Sequence, residues 1–362
     1  MNPPAAPALP TDPTAHTSGV SWADPARREA FGAWLASVAP AHGLDAASVR
    51  AASSDASFRR YLRVDGERGA RIVMDAPPAH EDCRPFVAIA RLLQAGGLHV
   101  PAVLEWDQAQ GFMLLSDLGD ATYLSRLQPG QPGAAVNRQL YGDALDALVR
   151  LQAIDAEAAV PPYDAALLRR ELDLFPEWYL SRHRGLSLSD AQRTQLEQVF
   201  ALILANNLAQ PRVLVHRDYH CRNLMVSTPN PGVLDFQDAV FGPITYDLAS
   251  LLRDAYIEWD EEAQIDWGVG YWERARKAGL PVAADFGEFW RDFEWMGLQR
   301  QLKVLGIFAR LAHRDDKTGY LGDIPRVWRY AHRVCCRYNG LGPLARILEA
   351  AEGVSAQAGY TF

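Results

Sequence analysis

Before Asp117 the apolar positions switch between two periods. From Asp24 to Val38, Phe31, Trp34, Leu35 and Val38 fall at helical spacing on one face. Ala52 to Val64 reads as a polar turn feeding a strand, and Arg71-Ile72-Val73-Met74-Asp75 as the next strand. Val100 to Glu105 and Phe112 to Ser116 are two more, joined by a polar hairpin. Between them Asp82 caps a helix to about Gln94, with Pro85 in its first turn and Gly96-Gly97 ending it. After Asp117 helical spacing dominates: Leu140, Ala144, Leu145, Leu148 and Leu151 line one face of Asn137–Ala153, and Leu167–Leu180, Asp190–Leu208 and Phe293–Leu311 read the same way. The pattern predicts a small antiparallel sheet with helices, followed by a mostly helical part.

Two short apolar runs interrupt the helical part, and each delivers polar residues. Val213-Leu214-Val215 leads into His216-Arg217-Asp218, with Asn223 five positions after Asp218; Val233-Leu234 leads into Asp235-Phe236; Asp247 then opens an apolar helix. His-Arg-Asp, Asn and Asp-Phe in this order are spaced as in a kinase catalytic loop and its metal-binding segment. Transfer of a phosphoryl group from ATP needs an oriented hydroxyl nucleophile and neutralised charge more than covalent chemistry. Asp218 suits the first task as a carboxylate that accepts the hydroxyl's hydrogen bond and proton. Asn223 and Asp235 suit the second, because Mg²⁺ prefers oxygen ligands and usually keeps waters and phosphate oxygens beside one or two protein groups. His216 and Arg217 join Asp218 in the catalytic set, His216 bracing the loop rather than doing chemistry; Asp247 anchors the loop, and Cys221 fills space within it.

Composition narrows the setting. The 362 residues are 49% apolar and 22% charged, enough for a sizeable core, and the length suits two lobes or two domains. A net charge of −8 argues against a general nucleic-acid binder. Four cysteines in no metal-ligand spacing fit reduced thiols in a cytoplasm. Residues 1–22, rich in Pro, Ala and Thr, read as a disordered tail without signal-peptide character, and no apolar run approaches the ~20 residues of a membrane span. No repeat and no obligate protein partner is evident.

The spacing and context of these motifs resemble the aminoglycoside phosphotransferase superfamily, small-molecule kinases sharing the His-x-Asp-x-x-x-x-Asn loop and a later metal-binding Asp. Within it, Met74-Asp75-Ala76-Pro77-Pro78, Glu81-Asp82-Cys83-Arg84-Pro85-Phe86, Leu115-Ser116-Asp117-Leu118-Gly119-Asp120 and Gly297–Leu311 resemble the bacterial kinases of N-acetylmuramate and N-acetylglucosamine. The resemblance implies an α+β, two-lobed protein-kinase-like fold: a small nucleotide-binding lobe over 23–117 and a large catalytic and substrate-binding lobe over 118–362, with the site in the cleft between them. It further implies ATP and Mg²⁺ as cofactors and phosphorylation of an amino sugar at its anomeric hydroxyl in peptidoglycan recycling. Another acceptor (an aminoglycoside, choline or homoserine) or a non-catalytic nucleotide-binding module are the alternatives.

The same resemblance places the ATP phosphates beside Ser54, Ser57 and Arg59, where an ordinary hairpin turn is the other reading, and the adenine at the backbone of Ser116, Asp117 and Leu118. The third strand, where kinases carry a phosphate-binding lysine, has none in Arg71–Asp75. Arg59, Arg60, another cation or the metal must then hold the phosphates. On Phe293–Leu311, Arg300, Lys303 and Arg310 lie along one side of a mostly apolar helix. Such cations either face a bound anion, such as a muramate's carboxylate, or pair internally with acids. The run Glu258 to Glu262 reads as a solvated helix start or loop, and Trp178 and Tyr179 as core rather than sugar pocket.

Overall fold

The computed structural model describes residues 20–22, 24–54 and 59–354, the side chains of Ser53 and Ser54 excepted. The chain divides into two compact units, Met1–Val87 with Pro101–Asp117 and Ala88–Val100 with Leu118–Phe362.

The first unit is built on a five-stranded antiparallel sheet and one helix. Helix α1 (Pro25–His42) starts where the Asp24 carboxylate accepts the Ala26 N–H and Pro25 supplies a preset φ; it ends at Gly43, whose φ of +59° suits a residue without a side chain. Strands β1 (Leu44–Ser54), β2 (Arg60–Gly66), β3 (Arg71–Asp75), β4 (Val103–Asp107) and β5 (Phe112–Ser116) pair in the order β1-β2-β3-β5-β4. The registers Leu62↔Val73↔Leu114 and Arg60↔Asp75↔Phe112 put these residues on one face. That face packs against Phe31, Trp34 and Leu35 of α1. Buried Asp75 is held there by Arg27 from α1, at 2.6 Å, and by Arg60. The opposite parity, Tyr61↔Met74↔Met113, faces away from α1. Strand β1 is an addition to the sequence reading: Ala and Ser are poor strand formers, and pairing with β2 overrides their propensity.

Helix α2 (Arg84–Ala95) follows Asp82, whose carboxylate accepts the Arg84 N–H. The second unit is mostly helical: α3 (Tyr123–Arg126), α4 (Ala135–Gln152), α5 (Ala165–Leu174), α6 (Asp190–Ala209), α7 (Tyr246–Leu252), α8 (Glu261–Lys277), α9 (Phe286–Arg314), α10 (Ile324–Arg337) and α11 (Gly342–Glu352). Two small ladders interrupt it, β6 (Arg212–Val215) with β9 (Val240–Pro243) and β7 (Leu224–Met225) with β8 (Gly232–Val233). Helix α9, about 43 Å long for its 29 residues, is the central post. Its Leu298, Leu302, Leu305 and Ala309 enter a core shared with α6, α10 and α11. Gly306 is required there, since a Cβ would lie 2.5 Å from the Leu174 carbonyl carbon. The expected helix Leu167–Leu180 changes character midway, continuing past α5 as the π-helical segment Phe175–His183. Pro176 has no N–H to give the α pattern, so the hydrogen-bond register shifts. Tyr179 is fully buried in the core of this unit, with Trp178 packed against it.

Candidate active site

The catalytic segment hangs between the two small ladders. Strand β6 ends at Val215, so His216 emerges from a paired strand; β7 begins immediately after Asn223, and β8 ends two residues before Asp235. Leu234 N–H donates to the Asn223 carbonyl at 2.9 Å, which fixes the two metal-ligand candidates side by side. Asn223 Nδ2 donates to the Asp218 carbonyl at 3.0 Å and lies 3.3 Å from Asp235 Oδ2. The amide oxygen is thereby turned away from that carbonyl.

Two buried side chains hold the loop. His216 is 1% exposed, and burial pushes its pKa down to about 4, so it is neutral near pH 7. Its Nε2 faces the Leu234 carbonyl at 2.9 Å and its Nδ1 faces the Asp218 N–H at 3.2 Å. A carbonyl only accepts and an amide N–H only donates, so this network assigns the proton to Nε2. The ring therefore ties the backbone of Asp218 to the residue preceding Asp235. Asp247, at the start of α7, accepts the His216 N–H at 2.6 Å and the Arg217 N–H at 2.9 Å, one on each oxygen. Burial pushes the Asp247 pKa up to about 7 against the pull of those N–H groups and of Arg300. Arg217 (φ +78°) and Asp235 (φ +62°) both adopt the left-handed region, a strain of about 1–3 kcal/mol each that surrounding contacts must hold.

Asp218 keeps 40% of its side-chain surface open. The surrounding protein opposes its ionisation, yet Lys303, then His220 and Arg300, outweigh that and hold its pKa at about 2. Such a carboxylate is ionised at any physiological pH. It is a good hydrogen-bond acceptor for a hydroxyl and a weak base, which suits proton acceptance late in a loose transition state.

Of the cations expected to meet an anion, the structure brings two near this carboxylate. Arg300, 4% exposed, places Nη2 3.8 Å from Asp218 Oδ1. Lys303 instead takes the internal ion-pair alternative: its Nζ lies 3.1 Å from Glu171 Oε1 and 3.0 Å from the Tyr246 hydroxyl. Arg310 is ten residues beyond Arg300, about 15 Å along the helix, and its charged neighbours are Arg314, Asp315 and Glu177. In the first unit, Arg59 pairs with Glu81 at 3.1 Å; Ser57 lies outside the described residues, as does the side chain of Ser54. Ser116 Oγ accepts the Ala102 N–H at 2.8 Å, Asp117 is held by Arg63 at 2.6 Å, and Leu118 is buried.

Three supporting residues are absent from the sequence reading. Glu171 on α5 holds Arg217 at 2.7 Å as well as Lys303, and accepts the Tyr163 hydroxyl. Asp254 accepts the N–H groups of Cys221 and Tyr256, each at 2.9 Å. Gln237 donates to Asp235 Oδ1 at 2.8 Å. Asp254 carried a readable signal, since an acid at the end of an apolar run needs a buried partner; Glu171, among Arg169, Arg170 and Asp173, and Gln237 carried none.

The donor set at Asn223 and Asp235, an amide oxygen and a carboxylate at adjacent loop ends, fits a hard divalent cation such as Mg²⁺.

Residues 48–286 match the model of the phosphotransferase enzyme family. The chain is 50% identical to an N-acetylmuramate/N-acetylglucosamine kinase of Pseudomonas putida over 84% of its length and 88% of that protein. It is 48% identical to the protein of the same name from Pseudomonas aeruginosa, over 90% of this chain and 97% of that one. Among solved structures, an ADP-bound aminoglycoside phosphotransferase superposes with a TM-score of 0.54 at 16% identity, covering 86% of this chain and 99% of that one. An amicoumacin kinase holding AMP-PNP and Ca²⁺ gives 0.58 at 13% identity, covering 85% and 94%. The solved structures are similar in fold.

Proposed function

The chain belongs to the phosphotransferase enzyme family, and on that premise we propose that it transfers the γ-phosphoryl group of ATP to the anomeric C1 hydroxyl of N-acetylmuramate and N-acetylglucosamine. The observation that carries the reading is the Asp218 carboxylate: ionised, partly open, fixed through His216 and Asp247, and next to the Asn223–Asp235 pair. Names shared by relatives at 45–50% identity supply the acceptor.

Asp218 orients the C1 hydroxyl and takes its proton as the oxygen bonds to phosphorus. Asn223 and Asp235 would hold Mg²⁺, which when bound supplies positive charge to the phosphate oxygens. Arg300 supplies further positive charge beside Asp218, for the carboxylate of N-acetylmuramate, while Lys303 acts on Asp218 through its field and through Glu171. Arg310, in different surroundings, supports α9 in this scheme. For the nucleotide, the first unit offers Arg59 in place of the missing strand lysine. Arg60 faces α1 and is spent on Asp75, whereas Arg59 has the opposite parity and pairs with an acid just before α2. That pairing parallels the lysine–glutamate pair of protein kinases. The backbone of Ser116 to Leu118 is assigned to the adenine.

A cationic acceptor is less well served. Glu258 pairs with Arg329, Glu261 pairs with Arg337, and Asp260 caps α8, so these three acids are engaged internally. No helix among the described residues is long and apolar enough to cross a membrane. We place the enzyme in the cytoplasm, where ATP is available and its four free thiols stay reduced, acting in recycling of peptidoglycan amino sugars. An ADP-release assay with MgATP and N-acetylmuramate, N-acetylglucosamine or kanamycin tests the reading. Release with both sugars and none with kanamycin is expected; release with kanamycin alone overturns the acceptor assignment, and release with none overturns the activity.

A further inference from the structure

Far along the sequence from the catalytic loop, helices α10 and α11 bring three different metal-ligating side chains together. His332 and Cys336 are four residues apart on α10 and share one face. Glu349 reaches them from α11. His332 Nε2 lies 2.8 Å from Glu349 Oε1 and 3.6 Å from Cys336 Sγ, and one donor atom from each residue falls within 4.8 Å of the other two. The imidazole is aimed by packing: Trp328 stacks on it with ring centroids 4.7 Å apart and planes 10° from parallel. The same indole donates to the Leu348 carbonyl at 3.2 Å, so one side chain locates both the His332 ring and the backbone next to Glu349.

We propose that His332, Cys336 and Glu349 form a zinc-class cation site that fastens α10 to α11. The distances support it. Bond lengths of ~2.0–2.1 Å to nitrogen, ~2.0–2.2 Å to oxygen and ~2.3 Å to sulfur imply tetrahedral edges of ~3.5 Å for N···S and ~3.3 Å for N···O. The N···S separation already has this size, but Cys336 Sγ lies 3.8 Å from Nδ1 as well, so the thiol has to rotate about χ1 to meet the Nε2 lone pair, and the N···O contact has to open by about half an ångström; both are side-chain torsional adjustments. A ligand set of thiolate, imidazole and carboxylate selects zinc or cobalt over magnesium and calcium, in contrast to the all-oxygen donors at Asn223 and Asp235. Cys336 is exposed, which gives a metal access and leaves the fourth coordination position to water. The thiol proton passes to solvent as the sulfur–metal bond forms. Without a metal the same residues make a His–Glu hydrogen bond and a long thiol–imidazole contact.

The test uses the full-length protein after chelator treatment. Co²⁺ titration should produce the near-ultraviolet thiolate-to-cobalt charge-transfer band, displaced by Zn²⁺. Cys83, Cys221 and Cys335 are buried, so the fast-reacting thiol toward Ellman's reagent is Cys336, and zinc should slow its reaction by about tenfold or more. Cys336→Ser should abolish the band, and Glu349→Gln should weaken Co²⁺ binding while leaving the thiol reactive, which separates ligation from any folding defect. No band in the wild type, an undiminished band in Cys336→Ser, or a thiol rate indifferent to zinc would each overturn the proposal.

Discussion

Asp247→Asn isolates the positioning of the catalytic loop from its chemistry. Each Asp247 oxygen accepts one backbone N–H, from His216 at 2.6 Å and Arg217 at 2.9 Å, in a fully buried setting. An asparagine keeps one acceptor and puts an NH₂ group where the other stood, so one backbone donor faces another donor. A buried donor left unpaired costs about 1–3 kcal/mol. The clamp on Arg217, whose φ of +78° needs outside support, is lost with it. Removing a buried carboxylate whose pKa is pushed up to about 7 is worth about 4 kcal/mol near neutral pH, which offsets the lost hydrogen bond and clamp, so Tm is expected to shift by no more than a few degrees. Activity should suffer more, because Asp218 is the next residue after Arg217 and a displacement near 1 Å costs about a hundredfold in kcat. Steady-state kinetics with N-acetylmuramate, together with calorimetry, reads both quantities. A variant with kcat within twofold of wild type would refute the reasoning that Asp247 positions Asp218 through the His216–Arg217 backbone.

Three other perturbations are expected to separate the supporting residues. Glu171→Gln leaves buried Lys303 and partly buried Arg217 without their shared carboxylate, and should cost about 3 kcal/mol in urea unfolding; an unchanged midpoint removes Glu171 from that role. Arg59→Ala should raise the KM for ATP while Arg60→Ala lowers Tm with KM near wild type, and the reverse pattern would contradict the face assignment drawn from the strand register. Between pH 6.5 and 4 the unfolded chain protonates His216 before the folded one does, so stability drains as pH falls through that window and levels off below it. The contribution is about 3 kcal/mol, and because Asp247 titrates in the opposite sense, it is read as the wild-type minus His216→Gln difference in unfolding free energy at pH 7 and pH 4.5. A difference that does not change with pH contradicts the buried neutral imidazole.

What the sequence disclosed depended on how far apart the cooperating residues lie along the chain. Asp218, Asn223 and Asp235 sit within one short stretch and are fixed by adjacent strand ends, so their spacing carried the geometry. Glu171 lies 46 residues before Arg217, and Asp254 lies 33 residues beyond Cys221, separations at which only tertiary packing brings partners together. The choice between Arg59 and Arg60 turns on strand parity. That parity became readable once Arg60↔Asp75 and Tyr61↔Met74 were paired. Long helices such as α4 and α6 were legible because apolar residues recur at helical spacing, Leu140, Ala144, Leu145, Leu148 and Leu151 in one and Leu196, Val199, Phe200 and Ile203 in the other. The Ala- and Ser-rich β1 and the change of helix type at Pro176 were not, since neighbouring elements rather than local preference decide them.

In the proposed reaction Asp218 receives the proton of an anomeric hydroxyl during phosphoryl transfer. Phosphorus NMR of the protein with MgATP and N-acetylmuramate, run beside Asp218→Asn, measures it most directly. For the wild type, a sugar-phosphate signal coupled to the anomeric proton is predicted. For Asp218→Asn, MgATP binding should persist while the signal grows at least about a thousandfold more slowly. Near-normal growth in the variant, or a wild-type product phosphorylated at a different hydroxyl, would contradict the claim.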